Sequence, residues 1–468
     1  MKRLQRTLAA AAALTLCACG VQGPATKVAS NAPPVWQAPL PHHGSMSELS
    51  NWWQGQGDPL LVQLIEAAQA ASPDVAAAGA RIAQARAERV AAGAALVPNL
   101  NGVLTSTRMS QQQANVPTNT TSQALLQTQW EIDLFGGVRA RRNAAQARLD
   151  SAHAGWHEAR VAVAAETANQ YYGLRACERL LTVTRLDAAS RAHTARLTAI
   201  STQAGFQSPS NNALARASAA DGNNRAVAQR AACEIDVKVL VALTAIPEAQ
   251  LREKLAENAT AAPLAPSSGV TIDAVPAQLL AQRPDVFTAQ NEVAAASFEV
   301  AGARAQRFPQ LTLSGFIGRG NIRAEGQSVT ANAWQIGPVQ MVLPIFDAGT
   351  RSANVDAARA RYDAAVSRYQ AGVRQAVSEV EQALVTLHST QERTDDAQAA
   401  LDGYRSFFQA TEDRYNNGLA SLLELEDARR TRLAAENTVV NLQRERSAAW
   451  IALYRAAGGG WTAPAATQ

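Results

Sequence analysis

The sequence predicts a mainly helical protein with a small β part, in which each protomer combines long antiparallel helical hairpins with four strands. Three observations carry this. The body of the chain is duplicated, each half contains very long stretches of strong helix formers, and each half holds a pair of β-prone segments with little net charge. The duplication shows at the prolines. Ser72-Pro73-Asp74-Val75 returns 211 residues later as Arg283-Pro284-Asp285-Val286, and Leu96-Val97-Pro98-Asn99-Leu100 returns at the same offset as Arg307-Phe308-Pro309-Gln310-Leu311. Phe135 falls on Phe346 at that offset as well, and Gly205, Ser208, Ala215 and Arg216 match Gly418, Ser421, Ala428 and Arg429 at 213. The period is far longer than that of solenoid repeats, so the chain is a pair of duplicated halves.

Each half reads as a helix, a strand pair and two long helices. Pro73 and Pro284 suit a first helical turn, where a missing N–H costs nothing, and Ser72 is a plausible N-cap. The Ala-, Arg- and Glu-rich run Ala76 to Ala95 has strong helix propensity, and Pro98 and Pro309 close these first helices. The segments 100–108, 123–134, 311–319 and 334–346 are rich in Val, Ile, Thr, Phe and Trp. Polar stretches, 111–121 and 321–331, divide them and read as loops. Segments of ~10 residues with aromatic residues near their ends suit strands that cross a bilayer. Beyond Phe346 no proline occurs until Pro464. Within that stretch Tyr362, Val366, Tyr369, Val373, Val377, Val380, Leu384 and Leu387 step by an average of about 3.57 residues, the seam of long helices packed with little supercoil.

The N-terminus sets the compartment. Lys2, Arg3 and Arg6 precede a short apolar run, Leu8 to Leu16, too short to span a bilayer. Leu16-Cys17-Ala18-Cys19 resembles a bacterial lipobox, which makes Cys19 the lipidated residue, residues 1–18 a signal peptide and the lipid on Cys19 the only cofactor. Cleavage there removes three basic residues and takes the formal charge from +4 to +1, so nucleic-acid binding loses its support. The Pro-, Ala- and Gly-rich stretch 19–57 reads as a tether leading into the body. The first repeat spans 58–262, the second 263–461, and 462–468 is a tail.

Four strands cannot close a barrel, and an open sheet edge cannot face lipid because its backbone groups would go unpaired. If the strands cross a membrane, several copies must share one barrel. The motifs now reach a known family. Trp52-Trp53 with Asp58-Pro59-Leu60, the run Trp130-Glu131-Ile132-Asp133-Leu134-Phe135-Gly136, Arg283-Pro284-Asp285-Val286, Ile336-Gly337-Pro338 with Leu343-Pro344-Ile345-Phe346, and Gly458-Gly459-Gly460-Trp461 resemble the TolC/OprM outer-membrane factors, especially the NodT lipoprotein branch. The resemblance covers nearly the whole mature chain. It implies a homotrimer with a shared twelve-stranded β-barrel continued by a periplasmic α-barrel. It also implies the role of outer-membrane exit duct in a tripartite efflux system, partnered by a periplasmic adaptor and an inner-membrane pump.

No catalytic constellation, phosphate loop or metal site is evident. His153 and His157 lie one helical turn apart without a third ligand nearby. The chain therefore reads as a non-enzyme. The competing reading is a lipid-anchored periplasmic helical scaffold that passes nothing. By the resemblance, functional residues fall at the helical-hairpin turns, near Gly205 and Gly418. Tyr415, Glu424 and Asp427 match the family's constriction residues and are gate candidates. Asn211, the fourth gate candidate, stands where the first hairpin has an aspartate in the family, and Ala420 where the second has a gate arginine.

One expectation comes from counting. After cleavage Cys177 and Cys233 are the only cysteines besides Cys19, and each lies 28 residues from Gly205. In an antiparallel hairpin turning at Gly205 they lie level, ~42 Å from the turn. The periplasm is oxidising, so a facing pair forms a disulfide, a cross-link of roughly 3–4 kcal/mol by chain entropy.

Overall fold

The computed structural model describes residues 21–30, 32–33, 36–38, 52–110, 118–258 and 279–462. Cys19, the signal peptide and the expected junction between repeats at 262/263 lie outside them. The helices of the first half are α1 (Trp52–Gly55), α2 (Pro59–Ala71), α3 (Pro73–Ala94), α4 (Gly137–Gln203), α5 (Pro209–Thr244) and α6 (Glu248–Glu257). Those of the second are α7 (Pro284–Ala305), α8 (Thr350–Asn416) and α9 (Leu422–Ala456). Proline opens α2, α3, α5 and α7, where its fixed φ is already helical. The strands are β1 (Asn99–Met109), β2 (Asn119–Ile132), β3 (Gln310–Ala324) and β4 (Gln327–Val342).

The chain forms two compact units. The first takes in Gly79–Ala154 and Phe287–Gly372 with the N-terminal residues, and the second takes in Asn31–Ala78, Gly155–Val286 and Val373–Gln468. The first unit holds one antiparallel sheet in the order β1-β2-β3-β4. Directly opposed residues share a face. One face carries Asn101, Gln127, Phe316 and Gln335 in one row and Thr105, Gln123, Gly320 and Ala331 in another. The opposite face carries Leu100 and Ile336 in one row, then Leu126, Ile317 and Trp334 in the next. Val103, Leu125, Gly318 and Ala333 lie between the two rows of the first face, which is mixed in character and crowded at Gly318. A Cβ on Gly318 would lie 2.2 Å from the Ala124 carbonyl oxygen, so only glycine fits there.

The strands differ from the sequence expectation at their outer ends. The stretch 321–331, expected to be a loop, is almost all strand, and only Glu325 and Gly326, both at positive φ, make the turn. Asn321, Arg323, Ser328 and Thr330 are polar because their face is polar there, not because the chain has left the sheet. At the other end β2 stops at Ile132, and Asp133 turns the chain into α4. Its carboxylate accepts from the Val138 and Arg139 amides at 3.0 and 2.8 Å, which satisfies donors that a helix start leaves free. Trp130 Nε1 donates to the Leu96 carbonyl at 3.1 Å.

Part of the expected tether is strapped down in this unit. Val21 N donates to Phe135 O, Arg304 to Gln22 O at 2.7 Å, Ser297 Oγ to Pro24 O at 2.5 Å and Tyr362 Oη to Ala25 O at 2.9 Å. One backbone carbonyl and three helix side chains supply the partners that a Pro- and Gly-rich segment cannot find in secondary structure of its own.

The second unit carries the largest apolar core, and the expected signature motifs build it. Trp52 stacks on Tyr454 with centroids 4.8 Å apart, and Trp53 meets the same ring edge-on. Asp58 caps α2 through the Leu60 and Leu61 amides and accepts the Tyr171 hydroxyl at 2.6 Å. Burial pushes the Tyr171 phenol up to about 12, reinforced by that hydrogen bond. Arg283 holds Asp285 and Glu379, each at 2.7 Å, and donates to the Ala456 carbonyl. Partial burial of Asp285 would by itself raise its pKa, yet Arg283 holds it below the usual carboxylate range. Cys177 on α4 and Cys233 on α5 are disulfide-bonded, with Cα atoms 5.6 Å apart.

Candidate gate at the hairpin turns

Both hairpin turns lie in the second unit and share one backbone design. After α4, the Gly205 amide donates to Thr202 O and the Phe206 amide to Ser201 O; after α8, Gly418 donates to Tyr415 O and Leu419 to Arg414 O. These paired bonds form the Schellman end, and both glycines adopt the left-handed φ it requires, +80° and +74°. Serine then caps the returning helix each time. Ser208 accepts from Asn211 N at 3.2 Å, and Ser421 accepts from Glu424 N at 3.2 Å.

The four gate candidates occupy distinct settings. Tyr415 is half-buried against Phe408, Leu422, Leu425 and Ala428, and its hydroxyl lies 3.1 Å from Thr198 Oγ1. Glu424 returns its carboxylate to the Ser421 amide at 2.6 Å, completing a capping box. That amide, then the Ser421 hydroxyl, holds the Glu424 carboxyl below the usual carboxylate range. Asp427 is exposed and pairs with Arg430 at 2.6 Å. Asn211 donates to Gln207 Oε1 at 2.8 Å and stays within its own turn. The structure thus brings Glu424 and Asp427 to the exposed start of α9 and ties Tyr415 alone to the opposing hairpin.

Sequence reasoning missed what joins the two hairpins. Arg191 on α4 reaches Asp187 at 2.8 Å, Ser218 on α5 at 2.6 Å and Glu426 on α9. Ser218 also donates to Glu426 at 2.6 Å. Arg429 on α9 bonds Glu426 at 2.8 Å, Thr194 at 2.7 Å and Ser190 at 3.0 Å, and lies 3.6 Å from Glu412 on α8. Its side chain is only 1% exposed, so these charges depend on one another rather than on water. Phe408 receives Arg432 over its face at 4.1 Å. The available signal was small residues at helical spacing: Ser190 and Thr194 on α4, Ser218 and Gly222 on α5. A Cβ on Gly222 would lie 2.7 Å from Arg191 Cδ. Among the described residues no group of three metal-ligating side chains is present.

Long helical hairpins and a four-stranded sheet with two open edges are the parts of a channel-forming outer-membrane protein. The chain belongs to the outer membrane efflux protein family, whose sequence profile matches residues 64–245 and 275–459. It is 29% identical over 466 residues to the pyoverdine export outer membrane protein OpmQ of Pseudomonas putida, covering 97% of each chain. It is 27% identical over 472 residues to nodulation protein T of Rhizobium leguminosarum bv. viciae, covering 98% of this chain and 94% of the relative. Among solved structures, the outer-membrane channel OprN is similar with a TM-score of 0.82 and 26% identity, over 93% of this chain and all of that one. It is a channel of the outer membrane that serves efflux.

Proposed function

We propose that three copies of this chain close a twelve-stranded barrel and form the exit duct of a tripartite efflux system, taking cargo from a periplasmic adaptor and inner-membrane pump. The observation that carries this is the four-stranded sheet. Its outer strands, β1 and β4, each have a strand neighbour on one side only among the described residues. A sheet with open edges and an apolar face is unstable in lipid until copies pair those edges. Transport energy comes from the pump, and the chain itself catalyses nothing. Cys19 carries the lipid. The strap at Val21–Ala25 supports this, because it pins the chain two residues beyond Cys19 to the foot of β2.

Glu424 and Asp427 form a ring of carboxylates at the periplasmic mouth and favour cations there. The duct is tested by heat-modifiable migration of an oligomer together with single-channel conductance in planar bilayers; an oligomer that never conducts would leave the scaffold reading standing. For the gate, the double variant Glu424→Gln, Asp427→Asn lowers cation preference in a salt gradient. Unchanged reversal potentials would remove these residues from the pore.

A further inference from the structure

The apolar face of the sheet is not apolar throughout, and its change of character is ordered by height. At the strand ends that join the helices it carries Ile132, Leu311 and Met341, then Trp130, Leu313 and Val339. The rows Leu100–Thr128–Gly315–Ile336 and Gly102–Leu126–Ile317–Trp334 follow. The next row, Leu104–Ala124–Arg319–Asn332, is mixed. Above it stand Ser106–Ser122–Asn321–Thr330, then Arg108–Thr120–Arg323–Ser328 at the turn end. From Ile132 to the level of Ala124 the strands rise ~27 Å. Tilted as barrel strands are, that covers ~20 Å of height, close to the apolar band of an outer-membrane barrel. Arg319 therefore stands at the upper edge of the band, with Arg108 and Arg323 just above it.

Three arginines and a row of hydroxyl and amide groups on the lipid side of a barrel need a counterpart in the outer leaflet. All three are exposed, and among the described residues none is paired with a carboxylate. Glu325, in the turn, is the one carboxylate of the described residues at that end, and the stretch 111–117 contains no acidic residue. The polar row is already organised. Ser106 and Ser122 hydroxyls lie 3.0 Å apart, and Asn321 donates to Ser328 and Thr330 at 2.7 and 2.8 Å. An open cavity of 490 Å³ lies here, lined by Leu104, Ser106, Ser122, Arg319, Asn321 and Thr330. Leu104 and Ala124 give it an apolar floor, and Arg319 is the one cation in its lining, with Arg108 and Arg323 one row beyond Ser106 and Asn321 along the strands.

We infer that this patch binds the phosphate groups of the outer-leaflet glycolipid, with Arg108, Arg319 and Arg323 as phosphate ligands and Leu104 against the first carbons of an acyl chain. The guanidinium fork suits phosphate oxygens, and the polar row offers hydroxyls to the sugar. An ordinary phospholipid headgroup carries one phosphate, whereas the glycolipid's two phosphates match arginines spread over two strands. The inference rests on the barrel reading above, which alone turns this face towards lipid.

The test is native mass spectrometry of the detergent-solubilised full chain with bis-phosphorylated lipid A, dephosphorylated lipid A, phosphatidylglycerol or inorganic phosphate. The wild type and the triple variant Arg108→Gln, Arg319→Gln, Arg323→Gln are compared, and both are assayed in parallel for heat-modifiable oligomers and conductance. The expected result is a loss of about tenfold or more in retained lipid A in the variant, with conductance unchanged. Dephosphorylated lipid A and phosphatidylglycerol bind the wild type weakly, and inorganic phosphate does not displace lipid A. Equal retention by a conducting wild type and a conducting variant would overturn the patch while leaving the barrel intact. Equal binding of phosphatidylglycerol, or displacement by inorganic phosphate, would overturn the choice of glycolipid. Failure of the wild type itself to conduct would overturn the barrel reading and this inference with it.

Discussion

The two hairpin turns share their caps and differ in nearly everything the caps present. Gly205 and Gly418 hold the same left-handed backbone, and Ser208 and Ser421 cap the same helical position. Yet Asn211 stands where the second hairpin has Glu424, Leu214 where it has Asp427, and Ala213 where it has Glu426. Arg216 is exposed, while its counterpart Arg429 is among the most buried side chains of the protein. Duplication thus kept the local geometry that makes a turn and let side-chain roles separate. The first hairpin is stiffened covalently by its disulfide. The second carries the carboxylates and reaches across with Glu426 and Arg429.

The largest expected effect tests the covalent half of that contrast. The bonded pair closes a loop across a sequence separation of 56, and the corresponding positions of the second hairpin are Thr390 and Arg446. The double variant Cys177→Ala, Cys233→Ala is expected to lose about 4 kcal/mol, by the chain-entropy relation, in denaturant unfolding of the solubilised protein. A loss below about 1 kcal/mol would mean that packing already fixes the register of the first hairpin. Alkylation of the unfolded, unreduced wild type labels neither Cys177 nor Cys233.

The second effect compares the repeat-related arginines. Arg429→Met leaves Glu426 without one of its two cations inside the contact between hairpins. The expected cost is about 3 kcal/mol, at the low end for broken buried pairs because Glu412 remains partly hydrated. Arg216→Met, on an exposed helix face, changes stability by no more than about 0.5 kcal/mol. Equal melting shifts for the two variants would show that the network contributes nothing specific to the second hairpin.

Features set by local rules were legible in the sequence. Pro73, Pro284, Gly205 and Gly418 mark helix ends through backbone constraints that act wherever the residue stands, whereas the caps at Ser208 and Ser421 were seen only as repeated positions. The facing cysteines followed from counting along a regular hairpin. The stretch 321–331 was misread because polarity, taken alone, does not separate a loop from the polar end of a membrane strand; the alternation of Asn321, Arg323, Ser328 and Thr330 was the better signal. The network around Arg191 and Arg429 left only the faint trace of small residues at helical spacing, which does not name its charged partners. Its members are scattered over four helices, and nothing in a single sequence says that Asp187 and Glu426 converge on one guanidinium. Glu424 was read through the family's constriction, and the capping-box pattern Ser421-x-x-Glu424 passed unnoticed beside it.

The smallest effect separates the two turns by pH. The Ser421 amide and hydroxyl depress the folded-state pKa of Glu424, whereas Asn211 does not titrate. A carboxyl with a depressed folded-state pKa contributes stability that is fully present above its unfolded value and is lost as pH falls through the folded value. Acidification below the usual carboxylate range should therefore fray the start of α9 and leave the start of α5 unchanged. Amide exchange, corrected for its intrinsic pH dependence, reads this at Ser421 to Leu425 against Ser208 to Asn212. Glu424→Gln keeps an acceptor for the Ser421 amide but removes the titration, so its protection at α9 is flat with pH and lower than wild type near neutrality. If both turns fray alike, or the variant still responds, the capping box is not what distinguishes them. On the proposed gate, the same capping contacts predict that cation preference persists to a lower pH in the wild type than in Ser421→Ala, read as reversal potentials in a salt gradient across a pH series.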